Sequence, residues 1–274
     1  MAKRKNPLGR MSLGGHLKEL RKRFFWVAIF ILLGSVGGWY LFDPVFAALQ
    51  APIIQAAKDS HVNATVNFGT IGGAFDLRLQ VSAFIGVVIT SPLWLYQLWA
   101  FVTPALQRRE RLYTIAFLTV SIPLFLGGCF LAWVSIPNFV HALISLTPAG
   151  STNLINANEY ILFAVRVLLL FGIAFVLPVV LVMLNFIGLI SAISIRKGWR
   201  IAVVISAFVA ALATPVADPT SMFVLMVPLL VLYFAALGIA AVHDRRIQKR
   251  NQRLFGTDGA DDVVGSITDP GGTI

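Results

Sequence analysis

Residues 160–190 read YILFAVRVLLLFGIAFVLPVVLVMLNFIGLI, a run in which Arg166 is the lone charge. As a helix it reaches roughly 46 Å at about 1.5 Å per residue, more than the hydrocarbon core of a bilayer, about 30 Å thick. A run of that length and polarity belongs in lipid. Outward from it lie five further apolar stretches: Phe24 to Phe42, Leu79 to Val102, Leu112 to Ile136, Ile201 to Ala213 and Pro219 to Val242. The composition agrees, since 58% of the residues are hydrophobic, 12% are charged and the mean hydropathy is +0.82. A surface that must meet water is not built from such a mixture. We expect an all-α integral membrane protein with six transmembrane helices.

The stretch from Ile201 to Ala213 reaches only about 20 Å as a helix, so on length alone it reads either as a short crossing or as a re-entrant segment. Charge decides between them. Of the 22 Lys and Arg, eight precede the first stretch (Lys3, Arg4, Lys5, Arg10, Lys18, Arg21, Lys22 and Arg23). Arg108, Arg109 and Arg111 fill the second gap, Arg196, Lys197 and Arg200 the fourth, and Arg245, Arg246, Lys249, Arg250 and Arg253 the tail. Only Lys58 lies clearly in an opposite-side gap. Positive charge stays on the cytoplasmic side of a membrane, so the fifth stretch crosses and both termini are cytoplasmic. The first stretch is too long for a signal-peptide core and is followed by more spans, which makes it a retained helix.

Three regions follow from this reading: a cytoplasmic N-terminal tail over 1–15, a six-helix domain over 16–243, and a cytoplasmic, disordered C-terminal tail over 244–274. The first outside gap, Asp43 to Asp76, is the longest and has an apolar start that suits a short interfacial helix. The second runs from Pro137 to Asn158. Pro92, Pro123, Pro178 and Pro228 fall inside stretches, and each removes one backbone hydrogen bond and tends to kink its helix. Bent helices around a short fifth one predict a concave bundle. No internal repeat marks the chain as an inverted-repeat transporter.

Catalysis finds little support. An intramembrane serine protease needs a serine and a histidine base at membrane depth, whereas His16, His61, His141 and His243 all lie at span ends or in gaps. Neither a Gly-x-Ser-x-Gly elbow nor a His-Glu-x-x-His pair is present. Cys129 sits alone in the third stretch and reads as packing, so we expect no disulfide, metal or cofactor. The net charge of +10 is accounted for by topology and lipid headgroups, not by nucleic acid.

Of the 12 Asp and Glu, those on the basic side are Glu19, Glu110 and the acids of the tail. Glu19 lies in Gly15-His16-Leu17-Lys18-Glu19-Leu20-Arg21-Lys22-Arg23, and Glu110 in Gln107-Arg108-Arg109-Glu110-Arg111. On spacing alone each is a local charge pair on a solvated helix end. The blocks around them, however, come with others in a fixed order. These are Ser91-Pro92, then Tyr96-Gln97-Leu98-Trp99-Ala100-Phe101-Val102-Thr103-Pro104-Ala105-Leu106, then Phe171-Gly172, Phe175 to Pro178, and Thr214-Pro215 before Asp218-Pro219. Over about residues 13–243 the chain resembles the TatC family, the multispanning receptor subunit of the twin-arginine protein translocase.

The resemblance implies a receptor in the bacterial cytoplasmic membrane that recognises paired arginines of signal peptides and supports export of folded proteins by the proton motive force. Carried over by position, Glu19 and Glu110 receive the arginines, while Arg21, Phe101, Pro104 and Leu106 shape the surface around them. Guanidinium is planar and binds carboxylate bidentately in a way that lysine cannot copy. Pro52 in the first outside gap and Asp218 at the sixth stretch also match family positions, with roles in translocation or assembly. Asp218 before Pro219 reads equally as a helix cap. Many family members carry Glu or Gln where this chain has Val176. Arg166, two turns earlier, is a charge inside a span; it reads as a functional group or as a side chain snorkelling toward Glu159. The implied partners are the single-span subunits TatA and TatB, further copies of the chain itself, and the bilayer. A six-helix carrier for a small solute is the alternative, and an insertase a weaker one. A carrier would line a midplane site with polar groups, whereas the informative acids here sit at the cytoplasmic edge.

Overall fold

The computed structural model describes residues 13–59, 64–102, 111–145, 153–214 and 219–255. In chain order the elements are α1 (Leu13–Tyr40), α2 (Phe42–Asp59), β1 (Ala64–Asn67), α3 (Gly73–Ile89), α4 (Ser91–Val102) and α5 (Arg111–Ser145). They continue with β2 (Asn153–Asn156), α6 (Ala157–Phe186), α7 (Ala192–Lys197), α8 (Trp199–Ala213) and α9 (Pro219–Phe255). Helices α1, α5, α6 and α9 are each long and apolar enough to cross a membrane. Helices α3 and α4 make one further crossing, broken by a 60° bend, and the 15-residue α8 is the short fifth in order. The six crossings expected from the sequence are all present as helices.

The stretch Leu79 to Val102 is not one rod. It breaks at Thr90, two residues before Pro92, whose ring disfavours helical backbone just ahead of it and whose nitrogen has no proton to donate. Side chains add hydrogen bonds to carbonyls at the break: Thr90 Oγ1 donates at 2.7 Å to Gly86 O, which also accepts from the Thr90 backbone N–H, and the Trp94 indole N–H donates to Val87 O at 2.9 Å. Other prolines leave their helices running. Pro123 and Pro137 lie inside α5, Pro178 inside α6 and Pro228 inside α9. The second outside gap therefore begins later than Pro137. Buried Ile136, Phe139 and Val140 hold α5 against its neighbours, and packing outweighs the one lost bond. At the far end α9 continues past Val242 to Phe255, so residues 244–255, read as part of a disordered tail, are helical.

Two features of the outer gaps complete the fold. The apolar start of the first gap is an 18-residue helix, α2. Its Leu49 carbonyl accepts from the Tyr160 hydroxyl at 3.0 Å, which fastens α2 to α6. The two gaps also join through a parallel pair of four-residue strands, β1 and β2, with Ala64 opposite Asn153 and Val66 opposite Ile155. An all-α expectation contains no such ribbon.

The core sits where α5 and α6 pack together, around Phe125, Ile136, Ile161 and Phe171, all of them buried. Helices α1 and α3 approach at backbone distance: a Cβ on Gly38 would lie 2.4 Å from Ser82 O, and one on Gly86 2.6 Å from Ser35 N. Small residues at such a crossing are how helices associate in lipid, where burial of apolar area supplies no drive between them. Elsewhere α1 presents Leu32, Leu33 and Val36 outward, as a helix solvated by hydrocarbon should. Cys129 is buried in α5 against Leu168 O, the packing role read from its position.

Candidate functional site

Glu19 and Arg23 lie one turn apart on α1, the spacing at which side chains meet along a helix face. Arg23 Nε donates to Glu19 Oε1 at 3.2 Å and Nη2 reaches the same oxygen. The third nitrogen, Nη1, donates to Gln97 Oε1 of α4 at 3.3 Å, so one guanidinium bridges two crossings. Glu19 and Arg23 keep 21% and 23% of their side-chain surface exposed, enough for water to weaken the pair but not to dissolve it. The second carboxylate oxygen differs from the first: Glu19 Oε2 is buried and accepts no hydrogen bond from the described residues. A bare carboxylate oxygen costs free energy and is satisfied by an added donor.

Helix α4 is held in place behind this cluster. Trp99 is fully buried, and its indole N–H donates to Ser121 Oγ of α5 at 3.0 Å. Ser121 in turn donates to Phe117 O at 2.7 Å. Gln97 and Phe101 are four residues apart and so share a face of α4, with Phe101 half-buried in its last turn. Helix α4 ends at Val102 and α5 starts at Arg111. Pro104, Leu106 and Glu110 lie between these ends, outside the described residues.

Arg21 does not join Glu19. Two residues along a helix is a rotation of about 200°, and Arg21 lines a recess of about 520 Å³ on α1 with Lys18, Lys22 and Phe25. Pro52 is half-buried within α2, on the opposite end of the bundle from Glu19. Asp218 lies outside the described residues, although Pro219 does open α9 as an N-terminal proline should. Val176 is buried at 4%, inside an apolar packing face. Arg166 is exposed on α6, and among the described residues it makes no ion pair with Glu159 or any other acid. Sequence reasoning missed Gln97 and the use of Arg23 as a bridge. The spacing of Glu19 and Arg23 was a visible signal; the approach of α4 from 74 residues away was not.

Six apolar helical crossings with a basic end make this a multi-pass helical membrane protein, and its relatives say of which kind. The family described as Sec-independent protein translocase protein (TatC) matches residues 15–228. A TatC of Xylanimonas cellulosilytica is 45% identical over 88% of this chain and 87% of its own length. One of Rothia mucilaginosa is 39% identical over 94% and 88%, and TatCy of Bacillus subtilis 33% over 88% and 93%. The crystal structure of a twin-arginine translocase receptor, TatC, superposes with a TM-score of 0.70 at 30% identity, covering 83% of this chain and 98% of that one. The chain belongs to the TatC family and is a component of the twin-arginine protein translocase.

Proposed function

We propose that this chain is the signal-peptide receptor and core subunit of its translocase, binding paired arginines at the cytoplasmic face and supporting export of folded proteins driven by the proton motive force. One observation carries the reading: Glu19 is held in place through one oxygen while the other is buried without a donor among the described residues. An incoming guanidinium has five N–H donors in a planar fork and satisfies Oε2 without first breaking the Arg23 contact. Arg23, anchored on Gln97, keeps the carboxylate oriented until then. Glu110, immediately before α5, takes the second arginine. Arg21, Phe101, Pro104 and Leu106 shape the surface along which the peptide lies.

Pro52, Asp218 and Arg166 belong in this reading to translocation or assembly. The partners are TatA, TatB and further copies of the chain, and the location is the cytoplasmic membrane with both termini inside. The basic residues gathered at the ends of α1, α7 and α9 support that orientation.

The test is a photocrosslinker placed at residues 19, 101 and 110 in turn, challenged with a twin-arginine signal peptide and a twin-lysine control. Crosslinks to the arginine peptide alone are expected, and Glu19→Ala or Glu110→Ala should weaken binding while membrane insertion is retained. Equal crosslinking of both peptides, or full binding by both variants, rejects the assignment.

A further inference from the structure

Away from Glu19, α6, α7, α8 and α9 enclose a cleft of about 590 Å³. Its walls are apolar: Ile201, Ile205 and Val209 along one face of α8, Leu177 and Leu181 of α6, and Tyr233 of α9. The Tyr233 hydroxyl donates to Ile195 O, and the other hydroxyls on the lining are those of Ser194 and Ser206, so the cleft wall is mainly apolar and carries no charged side chain. Leu177, Ile201 and Ile205 are about half exposed or more, which leaves the cleft open to the surrounding lipid. From Ile201 to Val209 the α8 wall runs about 12 Å, close to the depth of one leaflet of a hydrocarbon core about 30 Å thick.

The chemistry changes at one end. Arg196 and Lys197 finish α7, Gly198 lines the cleft, and Arg200 stands in the first turn of α8. All three cations are exposed, and none forms an ion pair among the described residues. Asp244 of α9, the acid that caps α7, is occupied by Asn185 and the Ala192 N–H. Trp199, exposed beside them, is the residue type that settles at headgroup depth. Gly198 provides no side-chain cap for α8, so the first-turn N–H groups add to the positive field.

From the apolar walls, the one-leaflet depth and the cationic mouth we infer that this cleft binds an anionic phospholipid. Its acyl chain lies between α6 and α8, and its phosphate is held by Arg196, Lys197 and Arg200. The inference stands apart from signal-peptide recognition, because the cleft uses none of the residues assigned to it.

Full-length chain is purified in mild detergent, and lipid retention is read by native mass spectrometry with phosphatidylglycerol and with phosphatidylcholine of the same acyl chains. Phosphatidylglycerol should be retained preferentially. Each of Arg196→Gln, Lys197→Gln and Arg200→Gln should lower its affinity about fivefold, and the triple Arg/Lys exchange that keeps the charges should restore it. Ile205→Trp, which fills the cleft and keeps the cations, should lower retention of both lipids. Equal retention of the two lipids by the parent chain, or undiminished preference in the triple Gln variant, overturns the proposal. So does an Ile205→Trp variant that keeps its lipid but loses a co-purifying membrane helix, which assigns the cleft to a protein partner.

Discussion

Two oxygens of one carboxylate, about 2 Å apart, are in different states, and that difference is the basis for reading Glu19 as a receptor group. Oε1 is part of an ordinary one-turn ion pair of the kind that contributes little on a surface. Oε2 is buried and accepts no hydrogen bond from the described residues, so a guanidinium arriving there adds a charge-assisted hydrogen bond, about 1.5–3 kcal/mol. Glu19→Gln should accordingly lower affinity for a twin-arginine peptide by roughly 10- to 100-fold in a titration, with a smaller loss for twin lysine. Gln97 acts at one remove. Gln97→Leu frees Arg23 Nη1 and should reduce peptide affinity only a few fold, leaving thermal unfolding within about 1 kcal/mol of the parent. A Gln97→Leu variant as weak as Glu19→Gln would make Gln97 itself a contact. Arg166 stands nine residues into α6, about 14 Å along the helix, exposed and without an ion pair among the described residues. A charge kept at that depth against a cost of about 2.5–3.5 kcal/mol near mid-membrane invites a role. Export of a folded twin-arginine reporter should fall in Arg166→Leu and persist in Arg166→Lys; full export in the Leu variant reduces the side chain to one that snorkels.

Elements here are tied by a few polar fastenings and by close backbone approach, because lipid supplies no hydrophobic drive between helices. The turn between α6 and α7 shows the first device. Asn185, buried at 3%, donates to Ile190 O at 3.0 Å and to Asp244 Oδ1 at 2.9 Å. Asp244 Oδ2 accepts from the Ala192 N–H at 2.8 Å, so a carboxylate of α9 caps the start of α7 from another helix. His243 stacks on Phe186 at 3.9 Å between ring centres and contacts Asn185 Oδ1. Asp244→Ala leaves one Asn185 N–H and the Ala192 N–H of α7 without their carboxylate acceptor and should cost about 2 kcal/mol in thermal unfolding, with Asp244→Asn recovering part of it. The α1–α3 crossing shows the second device. Gly38→Val must drive α1 away from Ser82, and overpacking of this kind costs about 1–3 kcal/mol. Since α1 also carries Glu19, this variant should lose signal-peptide binding together with stability, whereas a variant that keeps full binding would show that the crossing does not govern the site.

At the scale of the whole molecule, what the sequence revealed was whatever depends on length and local composition. Six apolar stretches, a short fifth one and basic ends are all of that kind, and the family blocks added Glu19, Phe101 and the rest by position. What it concealed depends on partners far along the chain. An uncharged run from Leu79 to Val102 hides a 60° break that Pro92 only hints at, and Pro137 reads as a helix end until buried Phe139 and Val140 are seen to carry α5 onward. Strands β1 and β2 are four residues each and meet across 89 positions, which no local pattern signals. Gln97 reaches Arg23 only because α3 and α4 fold back beside α1. Glu110, Pro104, Leu106 and Asp218 lie outside the described residues and rest on sequence alone. The largest-scale expectation is the direction of the bundle, and it has a clean experiment because Cys129 is buried and gives no labelling background. Asn67 on β1 and Gln248 on α9 are both exposed and fall at opposite ends if six crossings separate the termini from the β-ribbon by an odd number of spans. In intact cells whose outer layer admits the reagent, an impermeant maleimide should label Asn67→Cys at once, and Gln248→Cys only after the membrane is opened. Labelling of Gln248→Cys from outside would reverse the bundle, put Glu19 on the wrong side for a receptor of newly made proteins, and remove the proposed function with it.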